Sequence, residues 1–242
     1  MAHFYLNEFL LSAEIGGTAE LVGAEARHAV TVSRVKPGDA LTMGNGAGLV
    51  VSGTVRTADA TQLTIDVESV QLEPAAAPAI WLAQALAKGD RDELAVQAAT
   101  ELGVDGVIPW SASRSISRWE GAKVVKGHDR WVAIVREATK QSVRAWMPEV
   151  ADLVSTKQLV ALAASAQVLV LDPTGEQALT EIETDTRDVV LVVGPEGGIA
   201  DQELHALRTA GASIVRLGRT VLRTSTAGPA AIAVLSAKLG RW

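Results

Sequence analysis

Two stretches of this chain carry residues in patterns that suit ligand chemistry. Gly194-Pro195-Glu196-Gly197-Gly198 follows the apolar run Val189–Val193 and precedes a helical segment beginning near Asp201. A glycine-rich turn between strand and helix lets a ligand approach the main chain closely, and a helix start favours partial negative charge. The spacing is neither G-x-G-x-x-G nor G-x-x-x-x-G-K-[ST], so a dinucleotide fingerprint and a P-loop are both disfavoured. Asp201 and Glu203 in the first helical turn would repel a phosphate. A neutral or positively charged ligand, such as a sulfonium, suits the turn better. The same glycines equally suit a tight turn that needs φ > 0 and holds no ligand.

The second stretch is LGRTVLRTSTAGPAAIAVLSAKLG, from Leu217. Gly218 ends a strand, and Val221 and Leu222 are apolar residues in what reads as a loop. Apolar loop residues beside open backbone groups suit a pocket that grips a flat base through main-chain hydrogen bonds. Arg223-Thr224-Ser225 precede a small-residue helix, with Thr224 or Ser225 as the N-cap. Pro229 requires that helix to begin within a turn of it. Arg223 can equally be a surface arginine that caps another element.

The elements that must position these stretches are legible from periodicity. Residues 1–72 hold short alternating segments broken by Gly and Asp, such as ALTMGNGAGLVVSGTV and QLTIDVESVQL, and read as strands and hairpins. GNGAG is followed by strand-like sequence and reads as a hairpin turn. Glu73–Pro78, EPAAAP, stops regular structure and reads as a linker. From residue 79 to 242 strand and helix alternate. AIWLAQAL, VDGVIPW, Val168–Asp172, Val189–Val193 and Ala212–Leu217 read as strands. RDELAVQAATELG reads as a helix with Leu94, Ala98 and Leu102 on its apolar face, and Asp129–Trp146, Thr156–Ser165, Asp201–Ala210 and Ala230–Leu239 as further helices. This alternation predicts an α/β domain, a parallel sheet with helices on both faces.

Composition narrows the function classes. The chain has 48% hydrophobic residues and no cysteine, which excludes disulfides, thiolate nucleophiles and cysteine-ligated zinc. Four scattered histidines (His3, His28, His128, His205) without HExxH give a metal site no support. No basic n-region or membrane-length apolar run is present, so the expectation is a soluble, cytoplasmic protein. The net charge of -6 hides a pattern. Ser111–Met147 carries eight basic residues against three acidic, and the 54 residues from Val189 carry six against three. A polyanion would be drawn to those two segments; the alternative is an ordinary solvated helix face.

The paired segments LVVGPEGGI and LGRTVLRTST closely resemble the bacterial 16S rRNA (uracil-N3)-methyltransferases of the SPOUT class. RHAVTVSRVKPGD resembles that family's H-x-x-x-V-x-R-x-x-x-G-D segment through His28, Arg34, Gly38 and Asp39. REATKQSVRAWMPEV resembles its E-A-x-x-Q-S-x-R-x-x-x-P segment through Glu137, Ala138, Gln141, Ser142, Arg144 and Pro148. The resemblance implies an N-terminal PUA-like β-barrel over 1–72 that helps grip RNA, and a C-terminal trefoil-knotted α/β methyltransferase domain over 79–242. It also implies a homodimer, S-adenosylmethionine as cofactor, and 16S rRNA or the small ribosomal subunit as partner, with no metal and no membrane. The cofactor would lie against Leu171 and Asp172, against Gly194, Pro195, Glu196, Gly197, Gly198 and Ile199, and against Leu217, Gly218, Val221, Leu222, Thr224 and Ser225. RNA contacts would fall to His28, Arg34, Lys36, Arg114 and Arg118. Three positions depart from the family: Ser225 stands where many relatives have Glu, His3 where relatives often have a basic residue, and Ala200 where Ser or Thr often starts the helix, so Asp201 is the expected cap.

The chemistry implied is displacement at a sulfonium methyl by uracil N3, which must first lose its proton. Arginines are the candidates for stabilising the resulting anion: Arg223 on the cofactor loop, then Arg114 and Arg144 from the basic segment. Glu137, Gln141 and Arg144 are spaced for one helical face, which suits a dimer interface as well as RNA. Two other classes fit the same residues. One is a SPOUT enzyme acting on tRNA or a ribose 2′-hydroxyl; the other is a non-catalytic RNA-binding or ribosome-assembly factor with a dead pocket.

Overall fold

The computed structural model describes residues 4–242, and His3 lies outside them. The chain divides into two units. One takes the described residues up to Ala75 together with Thr139–Met147; the other takes Ala76–Ala138 and Pro148–Trp242. The sequence division had left residues 139–147 with the second unit.

The first unit is built on five strands: β1 (Phe4–Leu6), β2 (Thr18–Val22), β3 (Ala40–Gly44), β4 (Leu49–Asp59) and β5 (Gln62–Leu72). Their order is β1-β3-β4-β5-β2, and all pairs but β1–β3 are antiparallel. The period-two pattern sends Val51 and Val55 of β4 and Leu63, Ile65 and Val67 of β5 into one core. Gly44–Gly48 turns the β3–β4 hairpin, with Gly46 and Gly48 at positive φ. The expectation of strands alone up to residue 72 missed a helix, α1 (Gly23–Arg27), which runs on into a wide turn at His28–Val32. Ala26 and Ala29, three apart, are its fully buried face. Lys140 reaches Glu25 at 3.0 Å and Trp146 Nε1 donates to the Glu73 carbonyl, so the returning segment is tied to this unit.

The second unit is an all-parallel sheet with helices. Its elements are β6 (Ile80–Ala85), α2 (Arg91–Glu101), β7 (Gly106–Ser111), α3 (Ala122–Gln141), β8 (Glu149–Val150), β9 (Val154–Ser155), α4 (Thr156–Ala161), β10 (Gln167–Leu171), β11 (Gln177–Ala178), β12 (Val189–Val193), α5 (Asp201–Thr209), β13 (Ser213–Arg216) and α6 (Thr224–Lys238). The last residues of α3 belong to the first unit. Strand order is β11-β13-β10-β12-β6-β7-β8, with β9 also on β7. Alternation divides the faces. Ala83, Ala85, Val168, Val170, Val190 and Val192 share a core with Leu159 of α4 and Leu207 of α5. On the other face α6 packs against α2 and β12, where Gly228 meets Leu82 and Val193. Among the described residues no helix is long and apolar enough to cross a membrane.

Three helices depart from their expected form. On α2 the buried residues are Asp92, Ala95, Val96, Ala99 and Thr100, while Leu94 is 55% exposed. A face of small residues lets α2 lie close to α6, and tertiary packing overrides the larger leucine. The long basic helix starts at Ala122 and stops at Gln141. Val143 takes a φ of 56°, and the Arg144 N–H bonds the Thr139 carbonyl, so Arg144 lies beyond the helix and shares no face with Glu137 and Gln141. Helix α6 begins at Thr224, five residues before Pro229, with Arg223 rather than Thr224 or Ser225 as N-cap. Pro229 is thus inside the helix and cannot supply the N–H that would bond the Ser225 carbonyl.

Candidate functional site

Neighbouring parallel strands β13, β10 and β12 all end at the same edge of the sheet, so the loops that follow them gather there. Two adjoining hollows form among these loops. One, of about 160 Å³, is lined from β10 by Leu171, Asp172 and Pro173, from the glycine turn by Gly194, Pro195, Glu196, Gly198 and Ile199, and by Val221, Leu222 and Thr224. The other is bounded by Arg216, Leu217, Gly218 and Thr220 and shares Leu171, Asp172, Pro173, Val221, Leu222 and Ala227 with the first.

Twelve of the fourteen expected cofactor residues therefore lie on one continuous surface. Gly197 and Ser225 do not: a Cβ at Gly197 would stand 3.4 Å from Arg114 Cβ, and Ser225 is already on α6. Pro173, Val193, Arg216, Thr220 and Ala227 line the hollows without having been singled out. Each stands within three residues of a residue that had been, so extending each segment by one strand residue or one helical turn would have found them. Val221 is 76% and Leu222 37% exposed, an arrangement a flat apolar ligand would cover.

The glycine turn is held from behind. Thr224 Oγ1 donates to the Gly194 carbonyl at 2.7 Å and accepts from Gln84 Nε2 at 2.8 Å, and Gln84 is fully buried. Gln84 is a lone polar residue in the apolar strand AIWLAQAL, a signal the strand reading passed over. Glu196 Oε1 accepts from the Lys88 N–H at 2.8 Å and lies 3.3 Å from Arg91 Nη1, which joins the turn to the β6–α2 loop. Asp172 Oδ1 accepts from both the N–H and the hydroxyl of Thr174 and shapes the turn after β10.

Helix α5 is capped by Glu203 and not by Asp201. Glu203 accepts from the Ala200 N–H, the Ser113 N–H and hydroxyl, and the Thr156 hydroxyl, whereas the Asp201 side chain is 96% exposed. Burial alone would raise the Glu203 pKa, but these four donors outweigh it and hold the carboxyl below its ordinary value of 4.5. A carboxylate depressed on folding adds stability that is fully present above its unfolded pKa and lost as pH falls through the folded value. Urea midpoints should therefore drop below pH 4.5. Glu203→Gln should lose about 1–3 kcal/mol at pH 7 and show a shallower acid slope. An unchanged slope in that variant would assign the acid sensitivity to other groups.

The arginines fall in three settings. Arg114 Nη1 donates to the carbonyls of Gly197 and Ile199, at 3.3 and 3.2 Å, and so braces the turn. Arg223 lies in the chain between the lining residues Leu222 and Thr224, is exposed, and its guanidinium makes no hydrogen bond or ion pair among the described residues. Arg144 belongs to the first unit. His28, Arg34 and Lys36 are exposed on the first unit, and Arg118, in the second, bonds the Ser113 carbonyl. Part of the basic segment is already engaged within the fold. Arg130 pairs with Glu93, Lys140 pairs with Glu25, and burial lowers the pKa of Arg136. The local balance thus counts charges that already have acceptors within the fold.

Residues 74–236 match the family described as RNA methyltransferase domain. The chain is 42% identical over 235 residues to a Mycobacterium bovis protein named ribosomal RNA small subunit methyltransferase E, covering 95% of this chain and 90% of the relative. A Bacillus subtilis protein of the same name is 27% identical over 246 residues, covering 98% and 96%. Among solved structures, a ribosomal RNA small subunit methyltransferase E from Neisseria gonorrhoeae bound to S-adenosyl methionine superposes with a TM-score of 0.88. The two share 27% identity, and 98% of each chain is covered.

Proposed function

Since the chain belongs to the RNA methyltransferase family, alongside the ribosomal RNA small subunit methyltransferases E, we propose that it methylates N3 of an unpaired uridine in 16S rRNA with S-adenosylmethionine as donor. The observation that carries this reading is the hollow itself, in which the Gly194–Ile199 turn and the Leu217–Thr224 loop face each other across Leu171. The residues present fit that donor. Leu171, Val193, Ile199 and Leu222 offer apolar surface for an adenine ring, and Gly194 and Gly198 bring main-chain groups close. Asp172 and Glu196 place carboxylates beside a ligand that carries positive charge, and no phosphate-binding sequence interferes.

When bound, S-adenosylmethionine supplies an electrophilic methyl on a sulfonium. Uracil N3 forms the new bond to carbon as the sulfur–carbon bond breaks, and the N3 proton leaves to solvent. N3 lies on the pairing edge, so the uridine must be unpaired or drawn from its stack. Arg223, uncommitted to the fold, faces the developing anion through O2 or O4 and lowers its energy. Arg114 keeps the glycine turn in place while this happens. His28, Arg34, Lys36 and Arg118 contribute to RNA binding on their respective units.

The same reading takes the first unit as a PUA-like barrel, the second as a trefoil knot, and the working form as a homodimer. Strand order supports the knot: the chain passes from β12 over β10 to β13, then returns to lay α6 on β12 and α2. Mass spectrometry of rRNA nucleosides from a strain lacking this gene is the direct test. 3-Methyluridine should disappear and return with the gene; its persistence would sink the N3 assignment. Titration calorimetry with S-adenosylmethionine should show binding, which a dead pocket would not.

A further inference from the structure

A separate hollow in the same unit, about 320 Å³ against about 160 Å³ for the one at the glycine turn, is untouched by the mechanism above. Its walls are Trp119 and Trp131, the loop Ala87–Asp90, and Glu93 of α2. Trp119 and Trp131 stand edge to face, ring centres 5.4 Å apart and planes at 78°. Trp131 is buried, while Trp119 is only partly so. One face of the Trp119 indole lies on Gly127, where a Cβ would stand 2.3 Å from Cε2, so a glycine is required for the ring to lie there.

The polar wall holds three carboxylates, Asp90, Asp92 and Glu93, beside Lys88 and Arg130. Arg130 sends both Nε and Nη2 to Glu93 Oε2, and Oε1 takes neither of these donors. Asp90 is exposed, and its side chain makes no capping bond to α2. Asp92 is already spent: its oxygens accept from the Ala87 and Glu93 N–H groups and fix the loop that carries Lys88 and Asp90. An aromatic platform beside carboxylate acceptors suits a flat ring with N–H donors along one edge. Among nucleobases guanine presents two such donors side by side, N1–H and the 2-amino group, which one carboxylate can take together.

The two hollows are also neighbours. Glu196 lines the first, Lys88 lines the second, and the Lys88 N–H donates to Glu196 Oε1 at 2.8 Å. We infer that this tryptophan-walled hollow receives an unpaired guanine from the RNA strand that carries the target uridine, so that base recognition beside the cofactor site helps choose the substrate. The inference rests on the RNA methyltransferase reading, and tests of the two are separable.

Nuclear magnetic resonance of the indole N–H groups in cofactor-saturated protein reads the site directly, with the Trp119 signal assigned by its loss in Trp119→Phe. Millimolar guanosine should shift the Trp119 signal, inosine should shift it less for want of the 2-amino group, and uridine least. Asp90→Asn, at an exposed position that makes only a main-chain bond, should reduce the guanosine response without affecting the fold. In steady-state methylation Trp119→Ala should raise KM for RNA between about fivefold and a hundredfold, with kcat and cofactor affinity unchanged. Trp119→Phe should restore most of the loss. Equal shifts from uridine and guanosine would overturn the proposal, as would an unchanged KM in Trp119→Ala. Loss of cofactor binding in both tryptophan variants would also overturn it and make Trp119 a structural residue. Wild-type protein that binds no S-adenosylmethionine would instead count against the methyltransferase reading.

Discussion

Arg223→Ala should slow methyl transfer by about a hundredfold to a thousandfold, the usual loss when one donor to a developing anion is removed. S-adenosylmethionine affinity should stay within a few-fold. The structure gives a reason for that separation. The Arg223 guanidinium makes no hydrogen bond or ion pair among the described residues, and the main-chain bonds of its carbonyl to the N–H groups of Thr226 and Ala227 survive the substitution. Arg114→Ala makes the contrast, because it deletes two bonds to the glycine turn and should weaken cofactor binding along with turnover. Single-turnover methylation and calorimetry on both variants would separate the roles. Near-normal turnover in Arg223→Ala would remove it from the chemistry.

Gly194→Ala should cost at least about tenfold in cofactor affinity, or about 1.4 kcal/mol. A Cβ at this position would stand 2.6 Å from Ile199 Cγ1 and 3.2 Å from the Ile199 nitrogen. Ile199 is 3% exposed and held in the core beneath α5, so the glycine turn must shift to make room. The Gly194 carbonyl, which accepts from Thr224, would move with it and disturb the opposite wall of the hollow. Removing the obstructing side chain in Gly194→Ala/Ile199→Ala should recover part of the affinity, a coupling that a double-mutant cycle measures. Strictly additive losses would mean that the turn tolerates the methyl and that the two positions act separately.

Much of the second unit was readable because parallel strands buried on both faces leave an unmistakable apolar run. Val189–Val193 is the clearest case, with all five residues buried and bounds identical to those expected. The short strands β8, β9 and β11 were not readable, since two residues carry no period. Helix α2 was found, but its buried face was not, because Ala95 and Ala99 win over Leu94 only once α6 lies beside them. Charge misled in a similar way. Lys140 and Arg130 count as basic in a sequence sum, yet their partners Glu25 and Glu93 lie 115 and 37 residues away.

By itself the sequence determined the two loops that line the hollow. Glycine and proline act on local backbone geometry, and the lack of a phosphate fingerprint is a local fact as well. What only the tertiary structure decided was how those loops are held and which neighbours they have. Thr224 caps nothing and instead anchors Gly194, thirty residues away, and Glu203 rather than Asp201 closes α5 because Ser113 and Thr156 come within reach. Hydrogen bonds of this kind depend on strand order, and strand order is set by long-range packing that no local pattern records.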